Sequence, residues 1–263
     1  MLTSSQNPKI KLIRALTSRP KDRRQTGAFL VEGVRLLEEA WAANWSFRFV
    51  LYSNELSERG RGLIERLKVE DLDVEEVSAR LLQSASETET SQGILAVLND
   101  SQLPIPESLD FVLIPDAIRD PGNLGTLLRS AAASRVQAAL LPPETTDAFA
   151  PKVVRAGMGA HFHLPIQPMG WDEIREFLGV SQPRLQVYLA EMNGRSCWDT
   201  DLRQPLALII GGEAGGVSQT ARELAAQAIG IPMAGTTESL NAAMAGSILM
   251  FEVVRQRNER TIS

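Results

Sequence analysis

Apolar positions follow two regimes along the chain. Before residue 100, helical and extended spacings alternate at short range. Residues 30–43, LVEGVRLLEEAWAA, place Val34, Leu37 and Trp41 on one helical face, and the strand-like FRFVLYS follows. A charged stretch near 56–69 reads as a helix, while DVEEV and GILAVL, the latter at 93–98, read as short strands. Together they predict a compact α/β unit. NDSQLPIPES, with two prolines and few apolar residues, then reads as a linker.

Beyond the linker the pattern becomes regular. Apolar strand runs recur at 111–115, 137–142, 164–166, 185–190, 206–210 and 229–232, with helical segments at 123–135, 147–158 and 218–228. Such alternation predicts a mainly parallel sheet covered on both faces. The last segment, 239–258, spaces Leu240, Met244, Ile248 and Phe251 on one stripe of a long helix, with Ala242, Ala245 and Gly246 on the opposite shoulder. Small residues permit close helix approach, so this helix suits packing against the sheet, a partner subunit, or both.

At 263 residues, 44% hydrophobic and 22% charged, the chain has room for two modest domains or one large one. It contains no apolar run of membrane-spanning length, and residues 1–24 lack the apolar core of a signal peptide. A cytoplasmic protein with no membrane partner is expected. A single cysteine, Cys197, excludes an internal disulfide framework. His161 and His163, in GAHFHLPI, would share one face of a strand but lack a third ligand, so a structural role is expected and no metal.

The formal net charge of −5 conceals an asymmetry. Lys9, Lys11, Arg14, Arg19, Lys21, Arg23 and Arg24 oppose only Asp22 within residues 1–24, a net +6 that leaves −11 for the rest. A basic segment on an acidic protein suggests contact with a polyanion; the alternative is a solvated, poorly ordered N-terminus.

Two segments carry candidate chemistry. Leu206 to Asn241 puts glycine-rich or proline-bearing loops after two strands in succession, where open α/β sheets hold ligands. Gly211, Gly212, Gly215 and Gly216 lack a Gly-Lys-Ser/Thr ending, and their spacing does not fit G-x-G-x-x-G. That argues against both a P-loop and a dinucleotide fold. The second segment is DAIRDPGNLGTLLRS, where Asp120-Pro121-Gly122-Asn123 is a turn and Asn123 is placed as the N-cap of the next helix. Arg129 lies a turn and a half further in. Taken singly, Asn123 only caps and Arg129 is a solvated charge.

Three blocks in order, DPGNLGTLLRS, GGEAGG and IPMAGTTESLNAAMAGSILMFE, each following a strand, change that picture. The chain resembles the SpoU-type, or TrmH-family, RNA ribose 2'-O-methyltransferases of the SPOUT superfamily, and the blocks resemble their motifs 1, 2 and 3. SSQNPKIKLIRAL followed by FLVEGVRLLEEA is similar to the substrate-binding domain often found ahead of that catalytic domain. The resemblance therefore covers nearly the whole chain.

What the resemblance implies is specific. Residues 1–98 would be a small L30e-like α/β domain that binds RNA, 99–107 a linker, and 108–263 a SPOUT-type catalytic domain with a C-terminal trefoil knot, acting as a homodimer. The cofactor would be S-adenosyl-L-methionine (AdoMet). Asn123 and Arg129 belong to motif 1, Glu213 to motif 2, and Ser239 and Asn241 to motif 3. Gly211, Ile231 and Leu240 would contact the cofactor, with Gly212 and Met233 added by adjacency. Arg129 would either take the hydroxyl proton or clamp a phosphate and align the hydroxyl. Lys9, Lys11, Arg14, Arg23, Arg24 and Arg119 would meet RNA, with Arg135, Lys152 and Arg155 near the catalytic face. The expected substrate is 23S-type ribosomal RNA. Transfer RNA, or a non-catalytic ribosome-assembly role, is the alternative.

Overall fold

The computed structural model describes residues 2–88, 91–101, 103–212, 216–236 and 239–258. It divides into two compact units, one of Met1–Ser101 with Asp147–Phe162, the other of Gln102–Thr146 with His163–Ser263.

The first unit begins with helices α1 (Pro8–Ser18) and α2 (Pro20–Thr26), each with a proline in its first turn. The side chain of Asn7 caps α1 by accepting from the Lys9 N–H, and Gly27 ends α2 in the left-handed region. The basic segment is thus helical. Next come β1 (Ala28–Glu32), α3 (Val34–Ala42), β2 (Phe47–Tyr52), α4 (Glu58–Val69), β3 (Val74–Glu76), α5 (Ala79–Ala85) and β4 (Ile94–Asn99). The expected helix at 30–43 is two elements. Gly33, at φ 102°, breaks the chain between them, and the contiguous apolar run before it is a buried strand.

The strand order is β1-β4-β2-β3, antiparallel at both β4 edges and parallel between β2 and β3. Ile10, Ile13 and Leu16 of α1 pack with Leu81 and Leu82 of α5 over Leu30, Leu51, Leu95 and Val97 on one face. The opposite face carries an aromatic chain in which Phe29 contacts Trp45 and Phe149, Trp45 contacts Phe162, and Phe149 contacts His161. Phe149, His161 and Phe162 come from the 147–162 segment, which includes helix α7 (Pro151–Gly157). A boundary near 99–107 does not anticipate this late segment, because aromatic burial on the first sheet, rather than chain proximity, decides where it packs.

The second unit contains β5 (Phe111–Asp116), α6 (Pro121–Ala133), β6 (Ala138–Leu141), β7 (Ile166–Pro168), α8 (Trp171–Val180), β8 (Gln186–Ser196), β9 (Leu206–Gly211), α9 (Gln219–Leu224), β10 (Gln227–Gly230) and α10 (Ala242–Asn258). Its six strands run in the order β10-β8-β9-β5-β6-β7, and every pairing is parallel. Strands buried on both faces need no polar side, which is why β5 and β9 read as unbroken apolar runs. Val112, Ile114, Val187, Ala207 and Ile209 pack under Ile174 and Leu178 of α8 on one face.

On α10 the small shoulder faces inward. Gly246 lies so close to Leu127 and Ile210 that a side chain there would collide with Leu127. Ser247 Oγ meets Ser130 Oγ of α6 at 2.7 Å. The larger stripe faces out, with Met244, Ile248 and Phe251 at 55%, 38% and 48% exposure.

One pairing is irregular. Between β8 and β10, Ala228 pairs with Leu189 but Ile229 pairs with Arg195, so residues 190–194 make an excursion while β10 advances one step. Backbone passes directly over backbone there. A Cβ added at Gly194 would lie 2.5 Å from the Ile229 carbonyl carbon, and one at Gly230 would lie 2.8 Å from the Glu191 oxygen.

Candidate functional site

The strand ends of the second unit are tied to each other by backbone. Asp116 closes β5 and is buried; its carbonyl accepts from the Gly212 N–H at 3.0 Å, and its carboxylate accepts from the Ser218 N–H at 2.6 Å. Ser218 in turn caps α9, its Oγ accepting from the Ala221 N–H. A side chain at Gly212 would strike the Ala117 carbonyl, and a Cβ at Gly211 would lie 2.5 Å from Val217 Cγ1. These glycines therefore let the strand-end loops close on one another. Only its place as an acidic residue ending an otherwise apolar strand marks Asp116 in the sequence.

Beside these loops lies a cavity of about 360 Å³. Gly211, Gly212, Ile231, Met233 and Leu240, the five residues expected around a cofactor, all line it, and so does Ser239. The excursion after Leu189 supplies Glu191 and Asn193 to the same wall, and α9 supplies Arg222. Among the described residues, Glu191 and Arg222 are its charged side chains, paired at 2.7 Å. Neither stands out in the sequence, since they lie on separate elements with no periodic relation.

The motif residues next to the cavity form a different arrangement. Asn123 does not cap α6. Asp120 does, its carboxylate accepting from the Asn123 N–H at 2.8 Å, because Pro121 takes the first helical position and puts Asn123 at the third. Freed from capping, the Asn123 side chain accepts from Asn241 Nδ2 at 3.0 Å. Asn241 Oδ1 meanwhile accepts the N–H groups of Ala243 and Met244, capping α10 at 2.9 and 3.2 Å. Arg129 is exposed on α6 and makes no ion pair with any described residue. Glu213 lies outside the described residues.

The expected RNA-facing cations separate into two groups. Lys11, Arg14 and Arg24 are exposed, Arg14 donating to Ser84 Oγ. Arg23 is not available to a phosphate, because it is 5% exposed, bonded to Asp147 at 2.7 Å and to the carbonyl of Leu16. Lys9 bridges Asp73 and Glu75 at 2.6 and 3.1 Å. Burial pulls its ammonium down, but hydrogen bonds and charge from the two carboxylates outweigh that and hold it above the ordinary lysine value. Arg119 is exposed and paired with Glu144. Lys152 and Arg155 belong to the first unit rather than to the sheet that bears the cavity.

The histidines do not share a strand. His161 is buried in a short 3-10 helix, where its Nε2 donates to the Ala148 carbonyl at 2.7 Å, and His163 is exposed. Burial pushes His161 down to about 4, partly opposed by that hydrogen bond and by the charge of Asp147. No metal-binding group of His, Cys, Asp and Glu occurs among the described residues. No helix among them is long and apolar enough to cross a membrane.

Known proteins match this arrangement over most of the chain. The SpoU rRNA Methylase family matches residues 110–251, and the MRM3-like substrate binding domain matches residues 7–96. The 23S rRNA (uridine(2479)-2'-O)-methyltransferase of Streptomyces viridochromogenes is 32% identical, covering 97% of this chain and 92% of that protein. The 23S rRNA (guanosine(2553)-2'-O)-methyltransferase RlmP of Bacillus subtilis is also 32% identical, covering 96% and 98%. The crystal structure of the SpoU methyltransferase AviRb from Streptomyces viridochromogenes with AdoMet superimposes with a TM-score of 0.84 at 29% identity, covering 96% of this chain and 100% of that one. Glycine-closed strand-end loops, an all-parallel sheet and these whole-length matches place the chain in the SpoU rRNA methylase family of AdoMet-dependent RNA methyltransferases.

Proposed function

We propose that the protein methylates a ribose 2'-hydroxyl of 23S-type ribosomal RNA, with AdoMet held in the cavity between β8, β9, β10 and the start of α10. One observation carries this reading. Gly211, Ile231 and Leu240, expected from the motifs, and Gly212 and Met233, expected by adjacency, converge on a single cavity, and Asn241, between its lining residues Leu240 and Ala242, is hydrogen-bonded to Asn123. The relatives named for 23S rRNA support the substrate.

The residues present fit AdoMet. The cavity volume lies within the range of small-molecule sites, its Ile231, Met233 and Leu240 side chains suit an adenine, and the glycine loops bring backbone groups to its edge. When bound, AdoMet supplies an electrophilic sulfonium methyl. Arg129 presents an exposed guanidinium on the helix that Asn241 braces. A guanidinium has no acceptor and keeps its proton in proteins, so its role here is to hold a backbone phosphate and align the ribose hydroxyl. Ser239, at the cavity wall, and Glu213 complete the motif set.

Residues 1–98 act as the RNA-binding domain, of L30e-like type, with Lys11, Arg14 and Arg24 as phosphate contacts, and 108–263 act as the catalytic domain. The backbone crossing of β10 over residues 190–194 supports a trefoil knot. The outward stripe Met244, Ile248 and Phe251 supports a homodimer through the catalytic domain. The enzyme works in the cytoplasm, where ribosomes are assembled. Tritium transfer from AdoMet to ribosomal RNA, with the 2'-O-methyl position mapped, tests the reading. Arg129→Ala lowers transfer at least ~100-fold while S-adenosylhomocysteine still binds; retained transfer excludes the assigned role.

A further inference from the structure

Glu191 has a fixed backbone and a carboxylate that is half committed. Its carbonyl lies against Gly230, where β10 crosses the excursion, so the main chain has little room to move. From the other side Arg222 Nη1 donates to Oε1 at 2.7 Å. Oε2 has no partner among the described residues. The two side chains are 34% and 43% exposed, and both line the cavity.

The charge of this pair decides what it can bind. Glu191 and Arg222 together are neutral, so the wall offers no net attraction to a cation. An ammonium or sulfonium placed at Oε2 would also feel the repulsion of Arg222 a few ångströms away. A hydroxyl carries no such penalty. An ionised carboxylate accepts hydrogen bonds from hydroxyls strongly, and a vicinal diol can approach its free oxygen with two donors. Acidic side chains at strand ends hold nucleoside riboses in other α/β folds for the same reason.

We propose that Glu191, pinned by Arg222, accepts the ribose hydroxyls of the AdoMet adenosine and makes the cavity select a ribonucleoside cofactor. The proposal rests on the reading of this cavity as the cofactor site. Arg222 is a positioning residue that holds the carboxylate in one orientation.

Calorimetry on the full chain tests it without turnover. The wild type binds S-adenosylhomocysteine roughly tenfold or more tightly than its 2'-deoxy or 3'-deoxy analogue, the effect of removing a hydrogen bond to a charged group. In Glu191→Gln that preference falls below about threefold, because a neutral amide is a weaker acceptor. Glu191→Asp, too short to reach the diol while bound to Arg222, loses it as well and serves if the glutamine variant does not fold. Equal binding of all three ligands by the wild type, or full preference in both variants, overturns the role of Glu191. Ser239→Trp, at an exposed lining position, separates the two readings. Loss of binding in that variant supports the cavity as the cofactor site, and unchanged binding overturns the cavity assignment and the Glu191 proposal with it.

Discussion

Asn241 donates from Nδ2 to Asn123 Oδ1 across 3.0 Å, joining the first turn of α10 to the first turn of α6. The same side chain caps α10 through Oδ1, so one residue ends a cavity-lining loop, starts a helix and braces the helix that carries Arg129. Asn241→Asp separates these tasks. Its carboxylate still caps but has no donor for Asn123. Methyl transfer is expected to fall tenfold or more, roughly the effect of removing one positioning hydrogen bond, while the unfolding free energy from chemical denaturation changes by less than about 1 kcal/mol. Asn241→Ala is expected to lose both activity and about 1 kcal/mol of stability.

Arg23 and its neighbours in the basic segment are expected to behave oppositely. Arg23→Met strands Asp147, which is 20% exposed on its side chain, without a cation. The nearby Asp100 carboxyl is already pushed up by burial and by the charge of Asp147, so an unpaired Asp147 has a poor environment. The expected loss is about 3 kcal/mol of unfolding free energy, as for a largely buried pair broken at one partner. Lys11→Ala and Arg24→Ala leave the melting temperature unchanged. Their effect is on RNA affinity, whose logarithmic salt slope flattens by roughly 0.7 for each phosphate that is no longer neutralised. An unchanged slope removes these residues from the RNA interface.

Stability is expected to decline in mild acid through His161. Its value of about 4 in the fold lies below the 6.5 of an unfolded histidine, so the unfolded chain binds the proton first as pH falls. The contribution is intact above pH 6.5 and is lost progressively toward pH 4. Between pH 7.5 and pH 5 this amounts to about 2 kcal/mol. Urea denaturation at the two pH values, on the wild type and on His161→Leu, measures it. The leucine variant should show a smaller difference between them.

Placing charge on the outer stripe of α10 tests self-association. Met244→Asp with Phe251→Asp puts two carboxylates on exposed positions of a surface that leaves the core of the unit untouched. Sedimentation should find the wild type as a dimer and the double variant as a monomer with unchanged circular dichroism. A monomeric wild type rules out the interface.

The sequence revealed some elements better than others for physical reasons. β5 and β9 are buried on both faces, and an unbroken apolar run is a strong signal. β1 runs directly into an amphipathic helix, and only the backbone of Gly33 separates them. The cavity-lining residues Ile231 and Leu240 were legible because they sit in one short motif, and Met233 because it stands beside Ile231. Glu191, Arg222 and Asp116 were not, because each gains its meaning from a partner across the fold. Charge counting likewise grouped Arg23 with Lys11, although one is sealed against Asp147 and the other faces solvent.

The crossing of β10 over residues 190–194 has a consequence in time as well as in space. Ala242, Ala245 and Leu249 of α10 form part of the cavity wall. A chain whose synthesis has not reached α10 has no closed cavity, however well its earlier strands have paired. AdoMet affinity is therefore expected only once α10 has been made, and a chain that lacks it is not expected to load the cofactor. Capture of stalled nascent chains on immobilised S-adenosylhomocysteine would reveal this as an abrupt onset once α10 has emerged and folded.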